Sequence, residues 1–241
     1  MPMKTFLCTI IVFFSALCLS AQTAQEYFKL GNNAYKSGDY ARAIDNYNDA
    51  DKAGMRSAEL YYNIANSASK LNKRGEAITN YLKALSLNPR MREASANLET
   101  FASENSLQIP NIAKAELELS LSEWTLIAFA TFWFFIIFAV LPPLYNKSGK
   151  ATLFLSIVGF VFFCISAIAI NSWLDFDSIA ISLSDDTPVL ISPTENAPTQ
   201  FLAADGQVAK IKQQHKDYLF LEFPNGKSGW VKKQSVGTLS N

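Results

Sequence analysis

The sequence predicts a multidomain membrane protein, with an all-α repeat domain, a two-helix transmembrane hairpin and a small all-β barrel in that order. Three observations predict it. Residues 27–89 repeat with a 34-residue period. Two runs, Trp124–Tyr145 and Ala151–Leu174, hold 22 and 24 residues without a charge. After Asp177 the apolar pattern changes to alternation with β-branched residues, broken by turn-forming clusters.

The chain opens with "MPMKTFLCTIIVFFSALCLSAQ". One early base, Lys4, precedes a short apolar core, and small residues Ser20 and Ala21 follow it. That is the pattern of an export signal over residues 1–21, with cleavage expected near Ala21; a short N-terminal membrane anchor is the other reading. A lipid attachment at Cys18 is disfavoured, because bulky Leu17 precedes it.

Composition narrows the function classes. The chain has 241 residues, with 21 bases balancing 21 acids, so no net charge points to nucleic acid as a partner. Its three cysteines, Cys8, Cys18 and Cys164, all lie in apolar runs. Neither soluble part therefore offers a disulfide, a Cys zinc site or a cysteine nucleophile.

In the repeat, Leu30 recurs as Ile64 and Leu98, Ala43 as Ala77, Tyr47 as Tyr81, and Ala50 as Ala84. Small residues suit close helix crossings, and tyrosines fill the space between helices. "SGD" at 37–39 supplies a turn; "LNK" stands there in the second unit, with Asn72 replacing the glycine. Pro89 closes that unit. This pattern resembles the tetratricopeptide repeat, a helix–turn–helix of the same period. The resemblance covers two repeats and one further helix from Arg92 to about Glu104, giving a domain over residues 22–104. It implies that the first helix of each repeat lines a concave peptide-binding groove. Asn32, Tyr35 and Lys36 then face that groove from the first repeat, and Asn63, Asn66 and Lys70 from the second. They also read as ordinary solvated positions of the repeat. A clamp for a C-terminal carboxylate is not carried over, because Phe28 stands where its first lysine would be.

Residues 105–120 form a linker, broken at Pro110. The first span covers 121–145 and the second 151–174, joined by a loop over 146–150. About 20 apolar residues cross the hydrocarbon core as a helix. Trp124, Tyr145 and Trp173 mark the ends, where aromatic rings favour the headgroup layer. Pro142 and Pro143 stand where the first helix can stop. Lys147 and Lys150 make the loop cytoplasmic, whereas Glu116, Glu118, Glu123, Asp175 and Asp177 flank the outer ends. Both soluble domains are then expected in the periplasm of a bacterial inner-membrane protein.

The C-terminal part, 178–241, reads as five short strands: "SIAIS", "PVLISP", "QVAKIKQ", "YLFLEF" and "GWVKK". Asn225-Gly226 signals a hairpin. Tyr218, Asn225-Gly226 and Gly229-Trp230-Val231 look like the bacterial SH3 domain family. Tyr218 and Trp230 are the surface candidates this resemblance implies, with a packed hairpin residue as the other reading of Trp230.

No catalytic residues, metal ligands or cofactor site are expected. His215 is the only histidine, in polar "KQQHKDY". No nucleophile, metalloprotease or phosphate-loop motif occurs. The runs Trp124–Tyr145 and Ala151–Leu174 hold no Asp, Glu, Lys, Arg or His, which argues against a pump or pore.

The order of signal, repeats, two spans and SH3-like domain resembles the E-type (BatE-like) proteins of the bacterial aerotolerance operon, over the whole chain. The resemblance implies a non-enzymatic inner-membrane scaffold with von Willebrand factor A-domain membrane proteins as partners, and a role in oxidative stress. The alternative is an envelope sensor whose SH3-like domain binds peptidoglycan.

Overall fold

A computed structural model describes residues 23–105, 119–145 and 149–239. The expected signal peptide, most of the 105–120 linker, and Lys147 of the expected cytoplasmic loop lie outside the described residues. The chain divides into two compact units, one of Met1–Pro110 with Ala180–Leu239, the other of Asn111–Ile179.

Among the described residues, the first unit opens with five helices: α1 (residues 23–36), α2 (Tyr40–Lys52), α3 (Ala58–Lys70), α4 (Arg74–Leu87) and α5 (Arg92–Glu104). Their ends follow local chemistry. Asp39 caps α2 by accepting from the Arg42 N–H at 3.2 Å, and Ser57 caps α3 by accepting from the Leu60 N–H at 3.1 Å. The turn inside each repeat needs a left-handed residue. Gly38 provides it at φ +82° and Asn72 at φ +54°, asparagine being the side-chain-bearing residue that tolerates this region best.

Ala43, Ala50, Ala77 and Ala84 have no exposed surface, so neighbouring helices meet directly over them. Tyr47 and Tyr81 are 1 % and 2 % exposed and fill the gaps those alanines leave. The apolar period is not equally buried along the stack. Ile64 and Leu98 are inside, whereas Leu30 is 44 % exposed. It sits on α1, and among the described residues no helix precedes α1 to cover it.

The C-terminal part is one antiparallel sheet of seven strands, two more than the sequence pattern indicated. They are β1 (Ile179–Ser182), β2 (Thr187–Leu190), β3 (Thr199–Ala203), β4 (Val208–His215), β5 (Tyr218–Glu222), β6 (Ser228–Lys232) and β7 (Val236–Thr238). The sheet order is β3-β2-β6-β5-β4-β1-β7. The two strands the pattern missed are the two edges. β3 is mostly exposed and lacks a buried alternation; β7 is three residues long and follows a 3-10 turn at Lys233–Ser235. The β5–β6 hairpin turns at Asn225-Gly226, with Gly226 at φ +79° and its N–H donated to the Phe223 carbonyl at 3.0 Å. Val189, Leu219, Leu221, Phe223 and Val231 form the core of this sheet. The sheet does not stand apart from the repeats: β7 packs against α4 within the same unit.

The second unit holds two helices, α6 (Leu121–Leu144) and α7 (Lys150–Asp177). Both are long and apolar enough to cross a membrane. Ser120 starts α6 through a capping box. Its backbone N–H donates to Glu123 Oε2 at 2.8 Å, and the Glu123 N–H donates to Ser120 Oγ at 3.4 Å. Pro142 and Pro143 fall inside α6, which ends at Leu144 rather than before them. The helix α7 continues three residues past Leu174, to Asp177. Gly159 lets the pair approach closely: a Cβ there would lie 3.0 Å from the Phe135 backbone nitrogen. Phe132 and Phe163, and Phe135 and Phe160, pack across the pair at ring separations of 5.7 and 5.5 Å.

Candidate functional site

The residues singled out in the repeats fall on α1 and α3. Asn32, Tyr35, Asn63 and Asn66 are half-buried, and Lys36 and Lys70 are exposed. A groove of about 330 Å³ is lined by Tyr35 of α1, by Tyr62, Asn66, Ser69 and Lys70 of α3, by Tyr81 of α4, and by Asn97, Thr100, Phe101 and Glu104 of α5. Three of the six expected residues, Tyr35, Asn66 and Lys70, line it. Asn32, Lys36 and Asn63 are not among its lining residues.

The asparagines are engaged in the stack itself. The Tyr47 hydroxyl donates to Asn32 Oδ1 at 2.8 Å, and Asn63 Nδ2 donates to the same oxygen at 3.2 Å. One period on, the Tyr81 hydroxyl donates to Asn66 Oδ1 at 2.7 Å, and Asn97 Nδ2 donates to it at 3.0 Å. Each amide oxygen thus accepts from the second helix of its own repeat and from the first helix of the next unit. Asn97 also donates to the Tyr62 hydroxyl at 3.1 Å. The chemistry this leaves to Asn32 and Asn66 for a ligand is donation from the NH₂ group.

Burial tunes the tyrosines. Tyr47 and Tyr81 are each pushed up to about 12, chiefly because ionisation would place an anion in the packed stack. Burial also raises Tyr35, helped by nearby Tyr40 and Tyr62. The groove is therefore a neutral aromatic and amide surface, with Lys70 and Glu104 as its charged members.

Sequence reasoning missed Tyr62, Ser69, Tyr81, Asn97, Thr100, Phe101 and Glu104 as lining residues. A signal for Asn97 was present, since it stands 34 residues after Asn63. Tyr62 has no counterpart at that spacing, because position 28 is Phe and position 96 is Ala.

On the sheet, Trp230 is half-buried and pairs across strands with Phe220 of β5. Its ring lies 5.2 Å from Phe220 and edge-on to exposed His215 at 6.4 Å. Tyr218 is only 7 % exposed, so it is a packed residue more than a surface one. Its remaining edge lines a cavity of about 450 Å³, together with Pro193, Glu195, Lys216, Lys232 and Lys233. Among the described residues, no three His, Cys, Asp or Glu side chains group so as to hold a metal ion.

A tetratricopeptide repeat is present: the family model described by that name matches residues 58–91, which span α3 and α4. No curated protein matches the chain. Among solved structures, one described as "Crystal structure of YrrB: a TPR protein with an unusual peptide-binding site" is similar at 18 % identity. The match covers 69 % of this chain and 88 % of that one, with a TM-score of 0.34.

Proposed function

We propose that the chain is a non-enzymatic adaptor of the bacterial inner membrane that binds a partner protein in the groove formed by α1, α3 and α5. The observation that carries this reading is the groove itself. It is concave, neutral and lined by Tyr35, Tyr62, Tyr81 and Phe101, with amide and hydroxyl groups between them. Aromatic rings with interspersed hydrogen-bonding groups suit an extended peptide, whose backbone is polar and whose side chains are largely apolar. With no cluster of lysines in it, the groove suits an internal segment better than a chain end.

The two apolar helices support a membrane location. Two spans return a chain to the side it left, which agrees with the repeats and the sheet packing in one unit. Lys150 at the start of α7, and Asp175 and Asp177 at its end, favour a cytoplasmic loop and periplasmic domains. We read the sheet as an SH3-like barrel on the strength of its Asn-Gly hairpin and the 3-10 turn before its last strand. With the resemblance to the aerotolerance E-type proteins, the reading extends to von Willebrand factor A-domain membrane proteins as partners, in a complex serving oxidative stress.

The test is a pull-down of the tagged full-length protein from its own membranes, read by mass spectrometry, beside a Lys70→Glu, Thr100→Arg variant. Both substituted side chains are exposed groove residues outside the asparagine–tyrosine network. Von Willebrand factor A-type proteins recovered with the parent and lost with the variant support the adaptor. Equal recovery with both rejects the groove as the contact site.

The cavity lined by Tyr218, Lys216, Lys232 and Lys233 favours a second reading, an envelope sensor that binds peptidoglycan. Retention of the full-length protein on purified peptidoglycan, abolished by Lys232→Glu with Lys233→Glu, would select it.

A further inference from the structure

We propose that the repeat domain has two occupied faces, with the chain's own C-terminal sheet as the resident partner of one of them, and that Asp205 closes this contact. The coupling to the groove rests on the reading above; the docked contact does not.

The contact starts from a gap in the repeat. The first N–H groups of a helix have no partner within it. Asp39 serves α2 and Ser57 serves α3, but α4 begins after Lys73, which makes no capping bond. Asp205, in the turn between β3 and β4, fills the gap. Its Oδ2 accepts from the Arg74 N–H at 2.9 Å and its Oδ1 from the Gly75 N–H at 2.8 Å. Asp205 is 9 % exposed. A carboxylate so buried is costly unless hydrogen-bonded, and a helix N-terminus supplies both donors and a favourable dipole.

The shapes on the two sides match the bond. A Cβ on Gly75 would strike the Ser182 carbonyl oxygen, and a Cβ on Gly237 would strike the Thr79 side chain. One glycine from each partner therefore allows β1 and β7 to lie against α4. Asp185 ties the two sides together. Its Oδ1 accepts the Asp205 N–H at 3.2 Å, and its Oδ2 lies 3.8 Å from Arg74 Nη2. The helix whose start is held by the sheet also carries Tyr81, which bonds Asn66 in the groove. Docking of the sheet and order in the groove thus share one rigid element, and a ligand in the groove would strengthen docking to the same degree that docking strengthens the ligand.

The experiment uses the full-length protein in detergent, with its three native cysteines replaced by alanine and with Thr79→Cys and Gly237→Cys introduced. The Gly237 Cβ position lies 3.0 Å from Thr79 Cβ, close enough for a disulfide with a small shift. We expect the bond to form on mild oxidation, and Asp205→Ala to slow it about tenfold, the factor that loss of one helix cap carries. Ser57→Ala, which uncaps α3 instead, should leave the rate unchanged. Amide exchange in the protein without added cysteines should rise at residues 74–81 with Asp205→Ala. Cysteines that stay alkylatable and unbonded would overturn the docked contact. An Asp205→Ala variant with unchanged disulfide rate and exchange, or a Ser57→Ala variant slowed as much, would overturn the role of Asp205. If the contact stands and the groove binds no partner, the docking half survives alone.

Discussion

Asn32 and Asn66 occupy the same place one repeat apart, and each accepts a tyrosine hydroxyl, from Tyr47 at 2.8 Å and from Tyr81 at 2.7 Å. Each also accepts an amide from the next unit, Asn63 or Asn97. Two copies of one three-residue bond set run through the stack. The 34-residue period is in this sense a hydrogen-bonding period as well as an apolar one.

Removing either amide should therefore cost stability before it costs binding. Asn66→Ala leaves the Tyr81 hydroxyl, on a ring 2 % exposed, without its acceptor. A buried donor left unpaired costs about 1–3 kcal/mol. Asn32→Ala should cost a similar amount through Tyr47. Urea unfolding of the full-length protein in detergent measures this. A double variant with unchanged midpoint would show that the network adds nothing.

The same tyrosines set an alkaline limit. Tyr47 and Tyr81 are raised from 10.0 to about 12, so the folded protein keeps protons that the unfolded chain releases. Their contribution is fully present below pH 10 and is lost as pH rises from 10 to 12. Tyr47→Phe should be less stable at pH 7 by about 1 kcal/mol, the net value of one hydrogen bond. The gap to the parent should close as pH rises through that window. Unfolding midpoints at pH 7, 10 and 11.5 test it; a constant gap contradicts a raised Tyr47.

Much of this fold was legible because it is local. Alanines and tyrosines recur where helices cross, Asp39 and Ser57 stand at helix starts, and Asn225-Gly226 turns a hairpin. The Ser120–Glu123 capping box was also readable, as "SLSE", and marks where α6 begins. What escaped was non-local or weakly patterned. The edge strand β3 faces solvent with most of its residues, so it has no alternation to detect. The groove's Asn97 belongs to a helix without a complete repeat around it. The bond from Asp205 to α4 spans 130 residues, with both apolar helices in between. Its trace in the sequence is negative: Lys73 stands where a capping side chain would serve.

The apolar hairpin should be sensitive at one glycine. A Cβ at Gly159 would sit 2.9 Å from a Phe134 ring carbon and 3.0 Å from the Phe135 backbone nitrogen. In lipid, helices associate by close packing of small residues, since burial from water gives no drive there. Ser156 and Ser166 are buried on the same helix, and their hydroxyls donate to their own helix at Leu153 and Phe162. Gly159→Leu should separate α6 from α7 at about 1–3 kcal/mol, the range for overpacking. Helicity followed through an SDS titration of the reconstituted protein reports it. Ala at exposed Ile168 is the control, with no expected change.

Orientation yields the last test. Loops bearing Lys and Arg stay in the cytoplasm because their transfer across the bilayer is disfavoured. Lys147 stands in the sequence between the two apolar runs, Lys150 starts α7, and the far end of α7 carries Asp175 and Asp177. A cysteine at Ser37, exposed in the turn after α1, should react with a membrane-impermeant maleimide in intact spheroplasts. On the proposed two-span topology, a cysteine at exposed Asn225 in the β5–β6 turn should react equally, being on the same side as Ser37. A cysteine at Ser148 should react only after permeabilisation. Labelling at Ser148 with protection at Ser37 would invert the protein and move its groove to cytoplasmic partners. Labelling at Ser37 with protection at Asn225 would mean that one of the two helices does not span, and would also dissolve the contact between Asp205 and α4.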